Sequence, residues 1–79
     1  MENSYVPDIL IFSLEGCAPC EELKAYLNTK QYEYREVRII DDIDPEVFAK
    51  IYPNAEGYPH VILDGNEVFD LTLILESGL

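Results

Sequence analysis

Two cysteines, Cys17 and Cys20, are the residues whose type and spacing most directly permit chemistry, in the run Cys17-Ala18-Pro19-Cys20. Residues i and i+3 on one helical turn share a face and lie about 5–6 Å apart. That matches the Cα separation a disulfide requires. Such a pair can alternate between dithiol and disulfide with little backbone movement. If a helix begins here, Cys17 falls at or near its N-cap, where unpaired N–H groups and the helix dipole favour a thiolate. Cys20, one turn in, is shielded. Cys17 is therefore expected to be the nucleophile and Cys20 the resolving thiol. Pro19 lacks an N–H, which is harmless in a first turn, and Gly16 gives backbone freedom just before the nucleophile.

The surrounding charges temper this. Glu15, Glu21 and Glu22 stand close to the cysteines and oppose a further negative charge. Lys24, four residues past Cys20, can offset them from the same helix face. The expectation is a moderately, not extremely, favoured thiolate. A metal is the competing use of cysteine. Cys17, Cys20 and His60 could meet, but a structural zinc site usually needs four ligands and the chain offers three at most. His60 is read as a strand-start residue, and no metal ligands are assigned.

The elements that position the pair follow from pattern. Asp8 to Ser13 is a short apolar run, as in a strand buried on both faces. Glu21 to Lys30 reads as helix, with Leu23, Tyr26 and Leu27 on one face. Glu36 to Ile40 alternates charged and apolar residues and then turns apolar, like a strand near a sheet edge. Asp44 is an N-cap, Pro45 suits the first helical position and Glu46 the positive helix end. That helix should run to about Tyr52 with Val47, Phe48 and Ile51 inward. Glu56 to Pro59 is a loop and His60 to Leu63 a strand. Asp64-Gly65 is a hairpin signal and Glu67 to Phe69 the returning strand. Asp70 to Ser77 reads as a final helix with Gly78 past its end. The order β-α-β-α-β-β-α predicts an α/β domain over residues 1–79: a four-stranded mixed sheet with helices on its faces. Tyr58-Pro59 before a strand is an ordinary trans turn by local sequence; as a cis pair it would expose backbone groups for an extended substrate.

Sixteen Asp+Glu against five Lys+Arg give a formal net charge of -11. Such a surface repels nucleic acid and anionic membranes. It suits basic patches on partners, or solubility alone. No stretch approaches the roughly 18 apolar residues of a membrane span. Met1-Glu2-Asn3-Ser4 lacks the features of a signal peptide. The expected compartment is the cytoplasm, where paired cysteines point to redox work or metal rather than a structural staple. An adaptor without catalysis is a further alternative, disfavoured by the second cysteine.

The segment Ser13-Leu14-Glu15-Gly16-Cys17-Ala18-Pro19-Cys20 and, later, Gly57-Tyr58-Pro59-His60-Val61-Ile62-Leu63-Asp64-Gly65 together resemble the glutaredoxin branch of the thioredoxin superfamily, from about Asp8 to Leu75. Size and acidity resemble the small glutaredoxins of some phages and bacteria. The resemblance implies a minimal thioredoxin fold, with Cys17 as nucleophile, Cys20 as resolving cysteine and Pro59 in cis. It also implies substrate-binding roles: Tyr58 through its backbone to the cysteinyl part of glutathione, with Lys24 and Asp70 matching further binding positions. It implies a monomer without a tightly bound cofactor, using glutathione as reducing co-substrate. Protein disulfides would be its substrates, ribonucleotide reductase among them. An iron–sulfur cluster shared by two monomers is the family's other use of such cysteines. Three parts of the family's glutathione cradle differ here. The motif interior is Ala18-Pro19 rather than Pro-Tyr, Leu14 stands where a lysine is common, and Val68-Phe69-Asp70 replaces Gly-Gly-x-Asp. These differences raise a thioredoxin-type reductase as the alternative electron donor. A thioredoxin proper fits less well, since the chain is short and has no Trp.

Overall fold

In the computed structural model, which describes residues 6–69, the chain runs β1 (Ile9–Ser13), α1 (Ala18–Thr29), β2 (Arg35–Arg38), α2 (Pro45–Ile51), β3 (His60–Leu63) and β4 (Asn66–Val68). The four strands form one sheet in the order β2-β1-β3-β4. β2 is parallel to β1, while β3 is antiparallel to β1 and β4 antiparallel to β3. This is the mixed α/β sheet expected from the sequence. The helix expected over Asp70–Ser77 lies outside the described residues.

Alternation along β1 divides the interior in two. Ile9 and Ile11 join Val61 and the α1 residues Leu23 and Leu27 in an aliphatic core, with Tyr26 packed against it. Phe12, on the other face, joins Ile39 and the α2 residue Phe48, with Tyr52 and Tyr58 packed around them. The β3–β4 turn is Asp64-Gly65, with φ of 52° and 85°. Both residues take the left-handed conformation that a two-residue hairpin of matching twist requires.

The element boundaries depart from the pattern reading chiefly at α1, β2 and β4. α1 starts at Ala18 rather than Glu21. Ala18 and Pro19 fill the first two helical positions, where a missing N–H costs nothing. β2 ends at Arg38 rather than Ile40. There the Asp42 carboxylate accepts the Arg38 N–H at 2.9 Å and Ile40 turns to φ 82°, leaving its side chain exposed. β4 is shifted by one residue, to Asn66–Val68. In α2, Asp44 caps as expected, accepting the Glu46 N–H at 2.8 Å. Of Val47, Phe48 and Ile51, however, only Phe48 is buried; Val47 and Ile51 are 46% and 55% exposed. A seven-residue helix makes about two turns. Phe48 and the following Tyr52 supply its sheet contact, and the remaining apolar side chains face outward.

Candidate redox site

β1 delivers the chain to the site and α1 begins there. The link is a tight turn in which the Cys17 N–H donates to the Leu14 carbonyl at 3.2 Å and Gly16 takes φ 79°. Cys17 is the N-cap of α1, in extended conformation. Its sulfur does what a serine or aspartate oxygen does at other helix starts: it accepts the Cys20 N–H, at 3.2 Å. Pro19 at the second helical position leaves one fewer backbone donor in that first turn.

Cys17 and Cys20 are disulfide-bonded, with Cα atoms 5.3 Å apart. Cys20 is fully buried, while Cys17 is half-buried at the surface. The asymmetry expected from sequence, an accessible first cysteine and a shielded second, is present in the fold.

Tyr58 and Pro59 meet this pair from the other side of the sequence. Their peptide bond is cis. The Tyr58 carbonyl oxygen lies 3.7 Å from Cys17 Sγ, and in the dithiol form the thiol can donate to it. Pro59 is buried, and the Tyr58 ring packs against Phe48 with centroids 5.6 Å apart. Two clefts flank Tyr58. One, of about 190 Å³, is lined by Glu56, Gly57, Tyr58, Pro59, His60, Val68 and Phe69. The other, of about 280 Å³, runs from Glu56 and Tyr58 along α2 past Phe48 and Tyr52.

Two polar groups adjoin the site; sequence reading gave Glu36 no role beyond the strand and took His60 as a strand-start residue. Glu36 on β2 accepts a hydrogen bond from buried Ser13 and one from Lys24 Nζ at 2.9 Å. Lys24 also reaches Glu21, at 3.0 Å. The Ser13 and Lys24 hydrogen bonds hold the Glu36 carboxyl below its ordinary range. Hydrogen bonds to Glu36 and Glu21 raise Lys24. Lys24 is thus occupied by protein carboxylates. The second group is His60, buried among Phe12, Phe48, Tyr52 and Phe69, with Nε2 2.9 Å from Glu67. His60 opens β3, as read, but pairs with Phe12 on the α2 face. α1, which carries Cys20, covers the opposite face. No group of three or more His, Cys, Asp or Glu among the described residues is arranged to hold a metal. Asp70 lies outside the described residues. The Glu36 and Glu67 contacts cross between strands, so only the register of the sheet could have revealed them.

The family model of glutaredoxin matches residues 9–68, from the first residue of β1 to the last of β4. The chain belongs to the glutaredoxin family. Among relatives of this glutaredoxin, Glutaredoxin 1 of Rickettsia bellii (strain RML369-C) is 28% identical over 72 residues, covering 86% of this chain and 74% of the relative. An uncharacterised glutaredoxin-like 8.6 kDa protein encoded in a rubredoxin operon of Clostridium pasteurianum is 29% identical over 58 residues, covering 73% and 77%. Among solved structures, the thioredoxin-like protein BC3987 superposes with a TM-score of 0.69 at 23% identity, over 91% of this chain and all of that one. That likeness establishes the fold, a minimal thioredoxin architecture. Family membership and a Cys-x-x-Cys pair at disulfide distance support a thiol–disulfide oxidoreductase. No helix among the described residues is long and apolar enough to cross a membrane.

Proposed function

We propose that this glutaredoxin is a dithiol reductant of protein disulfides, with Cys17 as nucleophile and Cys20 as resolving thiol. The observation that carries the reading is the setting of Cys17 Sγ: it accepts the Cys20 N–H at 3.2 Å and faces the Tyr58 carbonyl at 3.7 Å. The N–H donor and the helix start stabilise negative charge on the sulfur. The Tyr58-Pro59 backbone offers a rail for the chain of a substrate.

The Cys17 thiolate attacks one sulfur of the substrate disulfide. The S–S bond breaks, and the departing thiolate takes a proton from solvent. Cys20, deprotonated, then attacks Cys17 Sγ in the mixed disulfide and releases the second substrate thiol. Two electrons pass to the substrate and the protein is left as the Cys17–Cys20 disulfide, the state of this structure. Two glutathione molecules, leaving as glutathione disulfide, or the dithiol of a thioredoxin-type reductase return the electrons. Reduction of glutathione mixed disulfides needs Cys17 alone. The setting proposed is the cytoplasm, with the protein acting as a monomer without tightly bound cofactor. Disulfide-forming enzymes such as ribonucleotide reductase are fitting substrates.

Leu14 in place of a lysine, and the engagement of Lys24 by Glu36 and Glu21, favour the reductase as a second reading of the donor. Glutathione-coupled reduction of a small mixed disulfide, set beside insulin reduction with a thioredoxin reductase, distinguishes the donors. Cys17→Ser should abolish both. Cys20→Ser should keep activity on glutathionylated substrates and lose it on protein disulfides. Full activity of Cys17→Ser would overturn the proposal, and loss of both activities in Cys20→Ser would exclude the glutathione route.

A further inference from the structure

The charge around the entry to Cys17 is one-sided. A disulfide attacked by Cys17 Sγ has its sulfur beside the Tyr58 carbonyl, and Tyr58, though not Cys17 itself, lines both neighbouring clefts. Glu56 lines both clefts. Its carboxylate is exposed and makes no hydrogen bond or ion pair among the described residues.

No lysine or arginine lines either cleft. All five Lys and Arg of the chain lie within the described residues, and four of them are engaged elsewhere. Lys24 is held by Glu36 and Glu21, Arg35 by Asp8, and Arg38 by Asp41 with Glu15 at 4.0 Å, while Lys30 sits over the Tyr26 ring. Lys50, in the last turn of α2, is not among the residues lining either cleft. Glu22, in α1 shortly after Cys20, is also exposed and has no hydrogen-bond or ion-pair partner among the described residues. A carboxylate on an incoming substrate therefore meets Glu56 with nothing to neutralise it, whereas an ammonium or guanidinium meets a free counter-charge.

We propose that Glu56 is a specificity-determining residue that directs Cys17 toward disulfides flanked by positively charged groups, such as a cystine in a basic segment of a protein, and away from carboxylate-bearing ones. The proposal rests on the reading of Cys17 as nucleophile. Charges at cleft distance in a largely solvated site change a rate by about three- to tenfold each. Salt should screen most of that.

The experiment measures the rate at which the reduced protein is oxidised by three small disulfides of similar size: cystamine, with two ammonium groups; 2-hydroxyethyl disulfide, neutral; and dithiodipropionate, with two carboxylates. Each rate is divided by that of the same disulfide with free 2-mercaptoethanol, which removes intrinsic reactivity. The expected order is cystamine, then neutral, then dithiodipropionate. The extremes should differ by at least tenfold at 10 mM ionic strength and converge at 0.5 M salt. Glu56→Gln should shrink that spread about threefold, and Glu56→Lys should shrink it further or invert it. Equal normalised rates for the three disulfides overturn the proposal, as does a spread that Glu56→Gln and Glu56→Lys leave unchanged. Failure of all three disulfides to oxidise the protein, or their undiminished reaction with Cys17→Ser, would instead overturn the nucleophile assignment.

Discussion

The two faces of the sheet are built from different materials. The α1 face is aliphatic: Ile9, Ile11, Val61, Leu23 and Leu27, four of them β-strand or helix residues with 2% exposure or less. The α2 face is aromatic, with Phe12, Phe48, Tyr52 and Tyr58 gathered around a buried histidine at centroid separations of 5.0–6.5 Å. Branched aliphatic chains interdigitate and fix the long helix that carries Cys20. Aromatic rings, broad and with polar edges, leave clefts between them and hold the loop that carries Tyr58 and Pro59. One face sets where the cysteines are, and the other shapes what can approach them.

That division can be broken directly. Phe48→Ala should destabilise by about 3–5 kcal/mol and Leu27→Ala by about 2–5 kcal/mol, both read from urea unfolding. Each is a large part of the stability of a domain this size. At matched folded fraction, only the Phe48 change should slow disulfide exchange, because Phe48 packs against Tyr58. The milder Phe48→Leu should show the same slowing with less loss of stability. An equal slowing in Leu27→Ala would erase the distinction between the faces.

The Ser13–Glu36–Lys24 group tests the α1 face in a second way. The Glu36 carboxyl is held below its ordinary value of 4.5 by hydrogen bonds from Ser13 and Lys24. Its contribution is therefore complete above that value and is lost as pH falls through the lower folded one. Lys24 is raised above its ordinary 10.5, so its contribution is complete below that value and is lost as pH rises through the higher folded one. Glu36→Gln should cost about 1–2 kcal/mol at neutral pH, near the lower end because the pair is partly solvated. Its melting temperature should fall less steeply than the parent's between pH 5 and 3. A parallel fall in the two proteins would show that Glu36 is not the titrating group. The smallest expected effect belongs to the α2 face: Asp44→Ala removes the cap on the Glu46 N–H and should cost about 1 kcal/mol. Thermal unfolding would read it, with exchange rates unaltered.

Much of this was legible in the residues, for reasons that differ by element. The cysteine pair, the Asp64-Gly65 hairpin and the Asp44-Pro45 helix start are local: each states its geometry within four residues. The cis form of Tyr58-Pro59 was not local, and it came only through family resemblance. Val47 and Ile51 were misassigned because a two-turn helix carries too few positions for periodicity to say which apolar side chains find the sheet. The end of β2 was misplaced because the Asp42 contact that stops the strand lies past the apolar run. Glu36 and Glu67 were read only as strand residues, since their partners, Lys24 on α1 and His60 on β3, are brought to them only by the tertiary fold. Glu56 gave no signal in sequence at all; its meaning comes from the clefts around it.

In the proposed reaction the sulfur of Cys17 is at once the reacting atom and the acceptor that closes the start of α1. A thiolate accepts an N–H more strongly than a neutral sulfur does. The first turn of the helix is therefore most firmly tied when Cys17 is reduced and ionised, and loosens as the sulfur enters a disulfide. Secondary structure and reactivity here share one atom, so each turnover alternately tightens and slackens the end of the helix that presents it.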